Sequence, residues 1–227
     1  IDAVASEDWF LQTSPELCMK HLLAAGYDRI FQIARCFRSR ERGRRHIPEL
    51  TLLEWYTTGE NYLHMMDQTA DMIRYVAQSI GPGEAITYDG RVIDLSVPFR
   101  RFTVEEAFST YSSITLEAAL AAERFDEMMG LEIEPQLGWE TPVFLHDYPA
   151  EMGALACLKS GDTRWAERFE LYIAGLELCN GFSELTDSAE QRRRFEIELS
   201  DRQKIGKPTN PMPDKFLAAL KDMPEAT

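Results

Sequence analysis

Apolar and polar positions along this 227-residue chain follow two periods in turn. Leu17, Met19, Leu22 and Leu23 fall at helical spacing. Thr13 or Ser14 can cap that helix, Pro15 suits its first position and Gly26 ends it. From Ile30 to Ser39 the period drops to two, which predicts a strand. Its odd face (Phe31, Ile33, Arg35, Phe37) is bulky and reads as core, and its even face (Gln32, Ala34, Cys36, Arg38) reads as a ligand floor. A second strand, Leu50 to Tyr56, puts Leu50, Leu52, Glu54 and Tyr56 on one face. The two predict an antiparallel pair joined by the charged loop Arg40 to Pro48.

Asn61 to Ile80 has an amphipathic helical pattern that Gly81-Pro82-Gly83 stops. Asp89-Gly90 marks a hairpin turn, and Thr103 with Glu106 makes a capping box. Residues 61–139 therefore read as a mostly helical insert within a sheet. The sheet resumes at Pro142 to Asp147 and continues in a hairpin, Glu167 to Gly181. A charged helix (Ser188 to Lys204), a turn (Asn210-Pro211-Met212-Pro213) and a short helix (Asp214 to Leu220) close the chain. The class is α+β, with residues 1–227 forming one core.

Composition narrows the function. No internal repeat occurs, and no apolar run approaches the roughly 20 residues of a membrane span. The first ten residues carry Asp2, Glu7 and Asp8 and no basic segment, unlike a signal peptide. The four cysteines are scattered, which argues against a zinc or disulfide framework and for a reducing cytoplasm. A net charge of −14 disfavours a large polynucleotide footprint but leaves room for a local phosphate site.

Such a site is suggested by Arg35, Arg38, Arg40, Arg42, Arg44 and Arg45, with His46 close behind. A solvated loop is the plainer reading; a polyphosphate clamp centred on Arg38 is the functional one. In the later hairpin, a two-residue turn at Ala174-Gly175 would set Tyr172 against Glu177 and Glu170 against Cys179. Glu170 and Glu177 would then lie roughly 7 Å apart, either as a solvent rim pair or bridged by magnesium. Asn180-Gly181-Phe182-Ser183-Glu184-Leu185 follows, with Glu184 a candidate for a cationic group or simply part of a turn. Glu16 at a helix start, and Glu54 beside Tyr56, add carboxylates that suit a positively charged substrate; for Glu16 the helix dipole is an equal explanation.

Leu11-Gln12-Thr13-Ser14-Pro15-Glu16 and the run from Phe37-Arg38 through His46-Ile47-Pro48 to Leu53-Glu54-Trp55-Tyr56 resemble motif 2 of class II lysyl-tRNA synthetases and its approach. Glu167-Arg168-Phe169-Glu170-Leu171 and Glu177 to Leu185 resemble that family's metal and lysine strands. Gly43-Arg44-x-His46, and Glu184-Leu185-Thr186-Asp187 followed by Glu190-Gln191-Arg192, are most similar to the short branch that modifies elongation factor P with β-lysine. The resemblance runs from about residue 11 to residue 222. It implies an antiparallel sheet flanked by helices, and a homodimer.

The implied reaction takes ATP and lysine or β-lysine to an aminoacyl-adenylate, then to a lysine of elongation factor P. By motif position, Arg38 would contact the α-phosphate and His46 the outer phosphates. Glu41 and Leu50 would join the ATP site, with Glu170 and Glu177 holding Mg2+ and ATP. Glu16 would meet the α-amino group, and Tyr56 and Glu184 the distal amine, supported by Glu54 and Asn180. Leu50 stands where the family has phenylalanine, Arg40 where it has glutamate, and Cys179 where it has glycine or alanine. Motifs 1 and 3 are not within residues 1–227, which makes the implied core incomplete. The alternatives are a lysyl-tRNA synthetase core that charges tRNA and a non-catalytic paralogue that binds an amino acid or a protein.

Overall fold

The computed structural model describes residues 2–43, 45–81, 83–209 and 211–227. Arg44 of the arginine loop, Pro82 of the helix stop and Asn210 of the late turn lie outside them. The elements run β1 (Val4–Ser6), β2 (Trp9–Leu11), α1 (Glu16–Ala24), β3 (Arg29–Phe37), β4 (Glu49–Thr57) and α2 (Tyr62–Ile80). Next come β5 (Ala85–Tyr88), β6 (Arg91–Asp94), β7 (Arg100–Thr103), α3 (Val104–Tyr111), α4 (Leu116–Ala121) and α5 (Phe125–Met128). The last are β8 (Val143–Pro149), β9 (Trp165–Ile173), β10 (Leu176–Phe182), α6 (Ser188–Lys204) and α7 (Asp214–Ala219). Among the described residues no helix is long and apolar enough to cross a membrane.

The chain divides into two units: Ile1–Gly59 with Leu185–Ala226, and Glu60–Glu184 with Thr227. In the first, β3 and β4 pair antiparallel over their full lengths, Cys36 opposite Leu50 and Gln32 opposite Glu54. Met19 and Leu23 of α1 and Phe216 and Leu217 of α7 cluster with Tyr56 and with Ile30. The even face of β3 is therefore the covered one, with Ala34 and Cys36 buried. The odd face, read from its bulk as core, is open: Phe31 is 73% and Ile33 66% exposed. The start of α1 agrees with the sequence expectation, with Pro15 in a helical conformation (φ −76°, ψ −2°) and Ser14 supplying the cap contact. Ser14 Oγ accepts from the Glu16 amide at 3.0 Å.

The second unit is built on a four-stranded sheet in the order β10-β9-β8-β7. β8, β9 and β10 are antiparallel, as expected, but β7 joins β8 in parallel, Arg100 opposite Val143. The connection between those two strands carries α3, α4 and α5, whose Phe108, Leu116, Phe125 and Met128 pack against Val143, Leu145 and Tyr172. Residues 61–139 thus hold helices together with three strands, of which β7 belongs to the main sheet. Asn61 caps α2 through the amides of Leu63 and His64, and the Thr103–Glu106 capping box is present at α3.

Candidate functional site

In the first unit the end of β3 is tied to the segment before α1. The Phe37 amide donates to the Gln12 carbonyl at 2.8 Å, and the Arg38 amide closes the following loop onto Pro48 at 2.8 Å. Arg38 is half-buried on the face of Cys36; its Nε donates to the Thr13 carbonyl at 3.4 Å and its Nη1 lies 3.6 Å from Glu41 Oε2. Arg35 pairs with Glu49 on the opposite face. Arg40, Arg42, Arg45 and His46 are exposed. Arg38 is therefore an anchored arginine at the root of the basic loop, with Leu50 partly buried across the strand pair from Cys36.

Below it lies a carboxylate array. Ser14 Oγ donates to Glu54 Oε2 at 2.7 Å and Tyr56 Oη donates to Glu54 Oε1 at 2.8 Å. Burial raises the Glu54 carboxyl above its ordinary value and Glu16 adds to this; the two hydroxyls and Lys20 oppose it. Lys20, only 2% exposed, donates to Glu16 Oε1 at 2.7 Å. The expected residues Glu16, Glu54 and Tyr56 are thus joined in one array. Ser14 and Lys20 were not anticipated as members, although the i,i+4 spacing of Glu16 and Lys20 is a pairing signal.

In the second unit the turn falls at Ala174-Gly175, with φ of 54° and 69°, and Tyr172 opposes Glu177 as expected. The register then shifts between Glu177 and Cys179, so Cys179 opposes Leu171 and Asn180 opposes Glu170. This corrects the expected pairing of Glu170 with Cys179, because one extra residue in a strand turns every later side chain to the other face. Glu170 is 7% exposed. Tyr148 Oη and Tyr172 Oη donate to its Oε2 at 2.6 and 2.5 Å, and Arg168 Nη2 donates to its Oε1 at 2.5 Å. Burial, then the Glu170 charge, pushes both phenols well above the usual range.

Glu177 and Asn180 are exposed; Glu184 is buried just past the end of β10, on a residue that bridges Ala156. Burial, with Glu167 and Glu184 nearby, pushes the Cys157 thiol up to about 12, and burial does the same for Cys179. A further buried carboxylate, Asp147, was not singled out in the sequence. It accepts from Lys159 Nζ at 2.6 Å and Tyr62 Oη at 2.7 Å, and His146 Nδ1 lies 3.2 Å away.

The family model for class II tRNA synthetases (D, K and N) matches residues 2–225. The chain belongs to that family. A protein of Haemophilus influenzae (strain PittGG) named elongation factor P--(R)-beta-lysine ligase is 38% identical over 234 residues, 98% of this chain and 70% of the relative. Proteins with the same name from Proteus mirabilis and from Hamiltonella defensa are 39% and 38% identical, over 96% and 93% of this chain and 69% and 67% of the relatives.

For a class II synthetase the carboxylates of β9 and β10 raise the question of magnesium. Glu170 does not fit as a ligand: one oxygen faces a guanidinium and the other takes two phenol protons. Among the described residues no three His, Cys, Asp or Glu side chains form a group able to hold a metal.

Proposed function

We propose that this chain joins lysine or β-lysine to ATP as an aminoacyl-adenylate and passes the acyl group to a lysine side chain of elongation factor P. The observation that carries the amino-acid half is the Ser14–Glu54–Tyr56 array. Glu54 is a partly buried carboxylate held at both oxygens. A phenol that has given its proton to Glu54 turns oxygen lone pairs toward a cation, so Tyr56 suits an ammonium. Glu16 receives the other amine. By motif position, Glu184 is assigned to the distal amine and Asn180 to a polar contact with the amino acid, which its amide donors direct to the carboxylate. The names of the relatives support the choice of amino acid and acceptor.

In the first step a carboxylate oxygen of the amino acid attacks the α-phosphorus of ATP and pyrophosphate leaves. Arg38 faces the α-phosphate, where charge builds; His46 contacts the outer phosphates. Glu41 orients Arg38, Leu50 covers the adenine and Glu177 meets the nucleotide. In the second step the neutral ε-amine of the acceptor lysine attacks the acyl carbonyl, AMP leaves and the amine loses its proton. No protein nucleophile is needed; positioning and charge neutralisation carry both steps.

Amino-acid-dependent ATP–pyrophosphate exchange tests the reading. Exchange with lysine or β-lysine that falls by about 10²–10³ in Arg38→Ala supports adenylate formation through this site. Incubation with elongation factor P should then add one lysyl mass to it. Exchange followed by charging of tRNA instead would select the tRNA ligase, and no exchange with either amino acid in folded protein would select an amino-acid-binding protein.

A further inference from the structure

Two strand irregularities converge on Glu170. In β8 the register slips between His146 and Tyr148, and Asp147 takes a φ of 58°. The slip returns Tyr148 to the face of Val143 and Leu145, where its hydroxyl reaches Glu170. In β10 the slip after Glu177 sets Asn180 opposite Glu170. Without the first, Tyr148 would face away; without the second, Cys179 would take the place of Asn180.

Arg168 binds the two results together. It lies on β9 two residues before Glu170, hence on the same face. Its guanidinium sits 4.4 Å from the centre of the Tyr148 ring. Nη2 donates to Glu170 Oε1 at 2.5 Å, Nη1 to the Met152 carbonyl at 2.7 Å and Nε to Asn180 Oδ1 at 3.3 Å. The Tyr148 and Tyr172 protons occupy the other oxygen of Glu170 and leave Oε1 to the guanidinium.

A guanidinium has donors only. The Asn180 atom that meets it must be the carbonyl oxygen, and the two amide N–H donors are turned away from it.

We propose that Arg168 is a positioning residue for substrate selection: it locks the exposed Asn180 amide with its donors presented, so that this corner of the site accepts a carboxylate or acyl oxygen and rejects an ammonium. The inference rests on the reading that Asn180 contacts the amino acid. Lysine carries two cations and one anion, and could enter a site rich in carboxylates in more than one orientation. A fixed donor pair at one end selects the orientation that presents the carboxylate for attack on phosphorus. Glu170 then serves as the anchor of Arg168.

The test is pyrophosphate exchange with the amino acid and ATP varied separately, in four proteins: unmodified, Asn180→Ala, Arg168→Gln paired with Glu170→Gln, and all three changes together. Pairing the charge removals avoids leaving a buried carboxylate without its cation. The expected result is an amino-acid KM raised about tenfold by the paired change, an unchanged ATP KM, and less than a twofold further effect once Asn180 is alanine. Arg168→Lys, which keeps the charge without the planar fork, should not restore the KM. The same rise in KM with and without the Asn180 side chain would overturn the positioning role. No effect of Asn180→Ala on the amino-acid KM would overturn the reading beneath it, and the inference with it.

Discussion

Adding one methyl group at Gly181 should lower the thermal midpoint, although replacing a strand glycine by alanine ordinarily raises it. The usual gain is about 0.5–1 kcal/mol, because alanine has less chain entropy to lose. At Gly181 a Cβ would stand 2.6 Å from Phe169 Cζ and 2.7 Å from Cε1. Carbon atoms settle at about 3.5–4.0 Å, so the ring would have to retreat by about 1 Å. Phe169 is 1% exposed and meets Phe144 edge-on with ring centres 5.5 Å apart. Overpacking of such a core costs about 1–3 kcal/mol, which outweighs the gain and leaves a net loss of about 1–2 kcal/mol. For a chain of this length that is a fall of about 2–8 °C. Thermal unfolding of Gly181→Ala, Phe169→Leu and the double variant separates the causes. In the Phe169→Leu background the alanine should cost nothing or stabilise, a coupling of about 1 kcal/mol or more. A midpoint raised by Gly181→Ala alone, or an equal penalty in both backgrounds, would refute the steric account.

Three further outcomes follow from the buried charges. Burial alone would raise the Asp147 carboxyl, but the His146 ring, the Lys159 ammonium and the Tyr62 hydroxyl outweigh it and hold it well below the usual carboxylate range. Its stabilisation is therefore complete above its ordinary value of 3.8 and lost as pH falls below that; Asp147→Asn should lower stability at pH 7 and flatten the acid limb of the midpoint-against-pH curve. Glu54 has the opposite sign. With its carboxyl raised above 4.5, the native state loses stability as pH climbs from 4.5 through the raised value, so melts of Glu54→Gln should gain on the unmodified protein as pH rises above 4.5 while amino-acid-dependent exchange is lost. Lys20→Met should cost on the order of 2–3 kcal/mol in denaturant titrations, less than the ~3–5 of a fully buried pair, because Glu16 keeps partial access to water.

The strand pair β3–β4 shows what the amino-acid pattern can and cannot tell. Alternation sorted Leu50, Glu54 and Tyr56 onto one side and Phe31 and Ile33 onto the other, since that depends only on period. Which side is covered depends on α1 and the distant α7, and bulk alone pointed the wrong way. The hairpin turn was legible because Ala174-Gly175 separates two strand-like runs. The shifts at Leu178 and opposite Asp147 were not, because a register shift leaves no compositional trace when no glycine marks it. Glu54 and Tyr56 were found by their spacing of two; Ser14 lies forty residues from Glu54 and is joined to it only by the tertiary fold.

The parallel partnership of β7 and β8 also has a kinetic consequence. β9 and β10 are closed by a two-residue turn, whereas Thr103 and Val143 are separated by the whole α3-to-α5 connection. The difference in loop-closure entropy is about 2–3 kcal/mol, and it must be met before β7 gains any hydrogen bond. In this unit the hairpin should therefore form early, and β7 should dock only as its helices settle on Val143 and Leu145. A change that weakens α3 would then slow the refolding rate of the sheet without touching a strand.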